Sequence, residues 1–414
     1  MMMKKTILLS ITASSLLMAG AYKVPEQSVN SMALGAAYVA HTDGADTAYF
    51  NPANMAFMED KQFAEAGLTW AHLPSNKFKG VQAYSASELY PASNKSEIEN
   101  LQLPFLHYVA APMGAFRWGA SLTVPGGLTK RWESGQQKLF AEEFTLKVIE
   151  VNPVASYKVS DNFAVGGGLR FIYSEGVVNG DGAETTKPIK REMEGDTVEF
   201  GYNLAMSYRP TSDINMAATY RSNIDLKEEG EANLYLANMG NQYDASVTVP
   251  LPAALNLAVS KTWKDKYTVE LNYEKTYWSA YEELDFNYGS ALPNAILRTA
   301  FDDPKPKNWK DTDTFRVGLS AKVSPKLTLM AGYAKDESPI DRKYISYELP
   351  DSDANIYTFG FRINANENLS YGFAYLHDEK ESFTLAAGEN EGGITGKFSG
   401  GGADLLSAGV AYKF

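Results

Sequence analysis

The sequence predicts an all-β protein: a 14-stranded antiparallel transmembrane β-barrel with an N-terminal helical plug inside its lumen. Three observations predict it: stretches of period-two alternation, connections that alternate between short and long, and an export signal at the N-terminus. Alternation marks a strand with two unlike faces. In residues 198–209, Val198, Phe200, Tyr202, Leu204, Met206 and Tyr208 share one face, while Glu199, Asn203, Ser207 and Arg209 share the other. Phe116, Trp118, Leu122 and Val124 oppose Arg117, Gly119, Ser121 and Thr123 in the same way. Tyr267, Val269, Leu271 and Tyr273 form a third apolar row, and Leu406, Ala408, Val410, Tyr412 and Phe414 a last one.

Counting such stretches gives 14 candidate strands. They begin near Phe63, Leu103, Phe116, Phe144, Asn162, Thr197, Ile214, Ser246, Tyr267, Thr314, Leu327, Asn355, Leu369 and Leu405. Short connections such as residues 111–115, 158–161 and 324–326 alternate with long ones such as 73–102, 125–143, 227–245 and 287–313. Short turns on one side, long loops on the other and an even strand count are the rule for bacterial outer-membrane barrels. A soluble sandwich does not sort its loops so regularly. In lipid every backbone N–H and C=O needs an internal partner, so the last strand is expected to close on the first. Tyr412 and the terminal Phe414 form the pattern by which the barrel assembly machinery is expected to recognise the chain.

At the N-terminus, Lys4 and Lys5 precede an apolar run from Ile7 to Met18, and Ala19, Gly20 and Ala21 follow. That layout is a cleaved secretory signal, assigned to residues 1–20. The run is too short to span a bilayer, which takes ~20 residues; its alternative reading is a buried N-terminal helix. The chain has no cysteine, so a disulfide scaffold does not apply. A net charge of -12 argues against nucleic-acid partners. The 25 tyrosines suit a barrel with an apolar lipid face and a polar lumen.

Fourteen strands enclose more space than the side chains of an eight-stranded barrel fill, so something must plug the lumen. Residues 21–60 precede the first strand, do not alternate, and carry apolar residues including Met32, Leu34, Val39, Phe50 and Met55. They are assigned as the plug and residues 61–414 as the barrel. Asn51-Pro52-Ala53 reads as a helix start, with Asn51 as N-cap and Pro52 in the first helical position.

Asn51-Pro52-Ala53 belongs to an ordered set that spans the mature chain. The set includes Arg117-Trp118-Gly119, Val124-Pro125-Gly126-Gly127-Leu128 with Trp132, Asn152-Pro153, Gly166-Gly167-Gly168-Leu169, Asn308-Trp309-Lys310-Asp311, Ser338-Pro339 and Leu349-Pro350-Asp351. In this set the chain resembles the FadL family of outer-membrane transporters for long-chain fatty acids and other hydrophobic compounds. The resemblance implies a monomeric barrel in the outer membrane, among its lipid and lipopolysaccharide, closed by an N-terminal hatch. It implies passive transport without a cofactor. Ligand would pass from a groove among the extracellular loops to an inner pocket beside the hatch. It would leave sideways through an irregularity in the third strand.

For the groove, Leu128, Trp132, Leu139, Phe140 and Phe144 are the candidates, because exposed apolar loop residues mark binding sites. A carboxylate ligand wants a cation; Arg170, on the lumen face of its strand, and Lys305, Lys307 and Lys310 are the candidates. Each also reads as an ordinary loop or lumen residue. Residues 173–176 carry no cation where the family has one, which keeps uncharged hydrocarbons and aromatics open as ligands. A general porin is a further alternative, disfavoured by the plug. Gly119 and the Pro125-Gly126-Gly127 stretch are the candidate weak points of the third strand. His41, His72, His107 and His377 are scattered without metal-ligand spacing. No catalytic constellation stands out, so neither an enzyme nor a metal site is expected.

Overall fold

The computed structural model describes residues 21–237 and 239–414; the assigned signal segment, residues 1–20, lies outside them. Fourteen strands form the wall. They are β1 (Phe63–Leu73), β2 (Glu99–Val109), β3 (Phe116–Lys130), β4 (Glu143–Lys158), β5 (Phe163–Asp181), β6 (Ile189–Thr211) and β7 (Ile214–Arg221, continued by Ile224–Leu236). β8 (Met239–Leu251, continued by Ala254–Trp263), β9 (Tyr267–Thr276), β10 (Thr312–Ser324), β11 (Leu327–Asp336), β12 (Ala354–Asn364), β13 (Leu369–Lys380) and β14 (Ala403–Lys413) complete it. Neighbours pair antiparallel, and β14 pairs back onto β1, Lys413 opposite Phe63 and Asp404 opposite His72. Closure leaves no edge exposed to lipid.

The alternation predicts the faces correctly. Val198, Phe200, Tyr202, Leu204, Met206 and Tyr208 all point outward, with Phe200 64% exposed. Across the wall, Leu271, Phe315 and Phe359 continue this apolar band. Phe414 stands just beyond the last ladder pair; its N–H bonds the Gln62 carbonyl and its ring meets Tyr412 edge-on at 4.9 Å.

Several expected boundaries fail: β6 begins at Ile189 rather than near Thr197, and β3 runs past Pro125 to Lys130. Residues 227–245 are not a loop, and the eighth strand does not begin at Ser246. β7 and β8 rise together as a hairpin, from Ile224 opposite Leu251 to Leu236 opposite Met239. Each strand is broken where the barrel gives way to this extension, at Ser222–Asn223 and at Pro252–Ala253. Pro252, which has no N–H to donate to a ladder, sits at the second break. The hairpin tip carries polar residues between scattered apolar ones, which hides it from a search for alternation. β6 is 23 residues long, about twice the 9–11 that a membrane strand needs. The wall therefore continues above the bilayer as a scaffold for the loops.

Residues 21–60 lie within the barrel, and nearly all from Ala21 to Met55 are buried. They form α1 (Val29–Ala33), capped by Ser28, whose hydroxyl accepts from Ser31 N; α2 (Thr47–Phe50); and a 3-10 helix over Pro52–Phe57. Asn51 Oδ1 accepts from Ala53 N at 3.1 Å, so Asn51 caps as expected, though the helix it starts is the tighter kind. α1 is short because Gly35 and Ala36 adopt positive φ just beyond it and end the helix.

Lumen-facing glycines let this plug touch the wall. A Cβ at Gly332 would fall 2.2 Å from the Leu34 carbonyl carbon, and one at Gly166 would fall 2.6 Å from Ala53 N. Wall polar groups then fasten it. Glu270 accepts backbone N–H bonds from Val39, Ala40 and His41. Arg362 bridges Glu65 at 2.8 Å and donates to Asn30. Asn51 Nδ2 donates to Val39 O and to Ser207 Oγ on β6.

Candidate functional site

The long connections meet above the barrel. A small extracellular sheet, built on Asn76–Ser85 and Ile394–Gly400, packs Phe78, Phe398 and Tyr347 together. Beside it opens a cavity of roughly 770 Å³. Leu139 and Phe140 of α3 (Gly135–Ala141), Phe144, Leu284, Phe286 and Phe301 give it an apolar lining, and Arg191, Lys305 and Lys307 supply charge. A space this size suits a small hydrophobic ligand.

The cations of this cavity are not equivalent. Lys307 is buried and bridges Glu348 at 2.7 Å. Burial alone would raise the Glu348 carboxyl, but Lys307 outweighs it and holds the acid below its usual range. Lys187 pairs with Glu88 and Lys343 with Glu391. Lys305 and Arg191 pair with no carboxylate among the described residues. Partial desolvation pulls the Lys305 ammonium below its usual value, although the residue stays exposed and donates to Thr299 O. Arg191 is 8% exposed, its Nε has no hydrogen-bond partner, and its guanidinium lies over Phe286 and Phe301 at 4.1 and 5.2 Å from the ring centroids. It is the charged group that sequence reasoning missed. In the sequence it sits in what reads as the tail of a long loop, among Glu192, Glu194 and Asp196, and nothing there separates a buried cation from a solvated one.

Other sequence candidates find other places. Arg170 does face the lumen, but it bridges Glu150 at 2.9 Å, and Glu150 also takes Arg221. Arg170 is thus held in an ion pair in the wall, correcting its place among the cations open to a carboxylate ligand, although one carboxylate between two guanidiniums leaves the trio a net positive charge. Lys310 is exposed and pairs with Asp341 outside the cavity. Trp132 is fully buried, donates to Tyr347 O and serves loop packing, away from the cavity lining. Leu128 and Phe144 line a narrower, mostly apolar passage beneath the cavity. The floor of that passage is Tyr22 of the plug, in an aromatic cluster with Trp278, Trp309 and Tyr281 at 4.8, 5.6 and 6.4 Å. Lys23 beside it bridges Glu274 of β9 at 2.7 Å.

The wall is interrupted next to this floor. β2 and β3 pair only from Leu106 opposite Leu122 to Val109 opposite Gly119. Above that, a bulge between Thr123 and Gly126 turns β3 inward, and its residues from Val124 to Lys130 are all buried. The plug takes over as partner. Val24 N donates to Pro125 O, Gly127 N to Tyr22 O, and Val124 N to Gln27 Oε1. The strands meet again at the top, where Arg131 bridges Glu99 at 2.5 Å. The result is a slit in the ladder beside the plug's N-terminal end. Gly119 is not the weak point; it lies under plug residues Met55 and Ala48. Pairing with β2 stops at Leu122, and Pro125, which cannot donate to a ladder, lies in the bulge just beyond.

A plugged barrel with a loop cavity and a broken third strand has a known counterpart. The family model described as outer membrane protein transport protein (OMPP1/FadL/TodX) matches residues 10–414. The chain belongs to this family. Its members are outer-membrane transport proteins, and the outer membrane is where this chain resides; the general-porin alternative falls away with that membership. The long-chain fatty acid transport protein of Escherichia coli O6:H1 is 24% identical over 430 residues, covering 93% of each chain. The crystal structure of a Pseudomonas aeruginosa FadL homologue superposes with a TM-score of 0.80 at 21% identity, covering 94% of this chain and 99% of that one. The Pseudomonas putida toluene transporter TodX gives 0.73 at 17% identity, covering 95% and 99%. These two likenesses establish the fold.

Proposed function

We propose that this FadL-family barrel takes up long-chain fatty acids by passive diffusion. The observation that carries the reading is the apolar loop cavity holding Arg191, a buried guanidinium with no carboxylate beside it. A charge desolvated without a partner is costly, and an anionic head with a hydrophobic tail answers both features of the cavity. From there the ligand descends the passage floored by Tyr22. Displacement of residues 22–27, which hold β3 only through a few hydrogen bonds, opens the slit between β2 and β3 toward the outer leaflet. Sideways exit keeps the tail out of water. The fatty-acid transport protein among the relatives supports this substrate class.

A second reading, uncharged hydrocarbons, rests on the passage itself, whose cation Lys307 is already paired with Glu348. The test is uptake of labelled oleate and labelled toluene by Gram-negative cells that lack their own transporter, with and without this protein. Protein-dependent oleate uptake is the expected result. Toluene uptake alone would replace the substrate class and keep the route.

A further inference from the structure

Glu228 lies on the continued part of β7, 2% exposed, at the end of an interruption in the β6–β7 ladder. It lines the passage between the loop cavity and the plug, among Leu128, Phe144, Val178, Val249 and Trp309. Neither carboxylate oxygen has a partner in good hydrogen-bond geometry, although the Ser174 hydroxyl of β5, itself unmatched, faces it, and Glu228 forms no ion pair among the described residues. The charged groups nearest it on β5 and β6 (Glu175, Asp196 and Glu199) are all acidic. The one cation in the passage, Lys307, is held by Glu348. Tyr22 and Tyr281, the titratable groups of the floor and loop, are buried phenols. An unpartnered acid in an apolar channel is a group retained for something that is not always there.

We infer that Glu228 is a head-group filter: it passes hydrophobic molecules whose polar end donates a hydrogen bond and opposes ionised carboxylates. Alcohols meet that requirement as they are. A fatty acid meets it only after taking a proton from water, so an acid captured at Arg191 as the carboxylate continues past Glu228 as the neutral acid. This inference deepens the transport reading above and rests on it.

The test is equilibrium dialysis of labelled laurate and labelled dodecanol against the purified full-length protein in maltoside micelles, at alkaline pH, with empty micelles as control. Wild type is compared with Glu228→Gln and, should that variant fold poorly by heat-modifiable migration, Glu228→Ala. Removing the charge is expected to strengthen laurate binding relative to dodecanol by at least about tenfold, since like charges in contact are strongly unfavourable. An unchanged laurate-to-dodecanol ratio would overturn the filter and leave the transport reading intact. Protein-dependent binding of neither ligand would overturn both.

Discussion

A buried guanidinium in an ion pair with no carboxylate is an open valence, and Arg191 differs in this from Arg170 lower in the wall, which bridges Glu150. Charge-assisted hydrogen bonds are worth ~1.5–3 kcal/mol each, so Arg191→Leu should weaken oleate capture by roughly ten- to a hundredfold. Toluene should be unaffected, because it has no anion to lose. Labelled-ligand binding to intact cells at low concentration checks this, and equal losses for both ligands would point to a collapsed cavity instead. Asn51 acts on the plug. It caps the Pro52–Phe57 turn and ties Val39 to Ser207 of the wall. Asn51→Ala should loosen the plug by ~1 kcal/mol for the cap alone, read as a rise in ion conductance across planar bilayers.

At the scale of elements, the contact between plug and wall depends on absent side chains. α1 and the turn after it lie against β11 and β12 so closely that a Cβ at Gly332 or Gly360 would overlap plug atoms at 2.2 or 2.5 Å. Gly332→Val should therefore displace residues 33–36 while leaving the ladder between Gly332 and its partner Thr358 able to form. The expected outcome is a folded, heat-modifiable barrel with a leak larger than that of Asn51→Ala. A barrel that fails to assemble would show that the plug is needed for folding. β3 is the other element under tension between roles. Its lower half is an ordinary membrane strand; its upper half surrenders β2 and takes the plug as partner.

At the scale of the whole molecule, closure is a single joint, β14 against β1, and Phe414 ends the strand that makes it. Its ring is 63% exposed and meets the Tyr412 ring edge-on. Its loss should cost little in the finished barrel but much in assembly, so Phe414→Ser should lower the folded protein recovered from outer membranes several-fold. Normal recovery would remove Phe414 from the assembly signal.

Much of this was legible in the chain. Alternation is a local property, because successive side chains of a strand point to opposite sides whatever lies around them. The sequence by itself therefore determined the strand faces, the number of wall strands and the lipid-facing band at Val198–Tyr208. Asn51 and Pro52 likewise announced a helix start through purely local chemistry. The tertiary structure decided what depends on distant partners. Whether a cation is free turns on a carboxylate elsewhere: Arg170 and Glu150 are 20 positions apart, while Arg191 lies over Phe286 and Phe301, beside the Tyr288 phenol, and the nearby Glu348 is taken by Lys307. The extension of β7 and β8 above the membrane, the slit over β3 and the isolation of Glu228 arise in the same way. Each is set by which backbone and side chains arrive from other strands and from the plug, and no stretch of neighbouring residues encodes that.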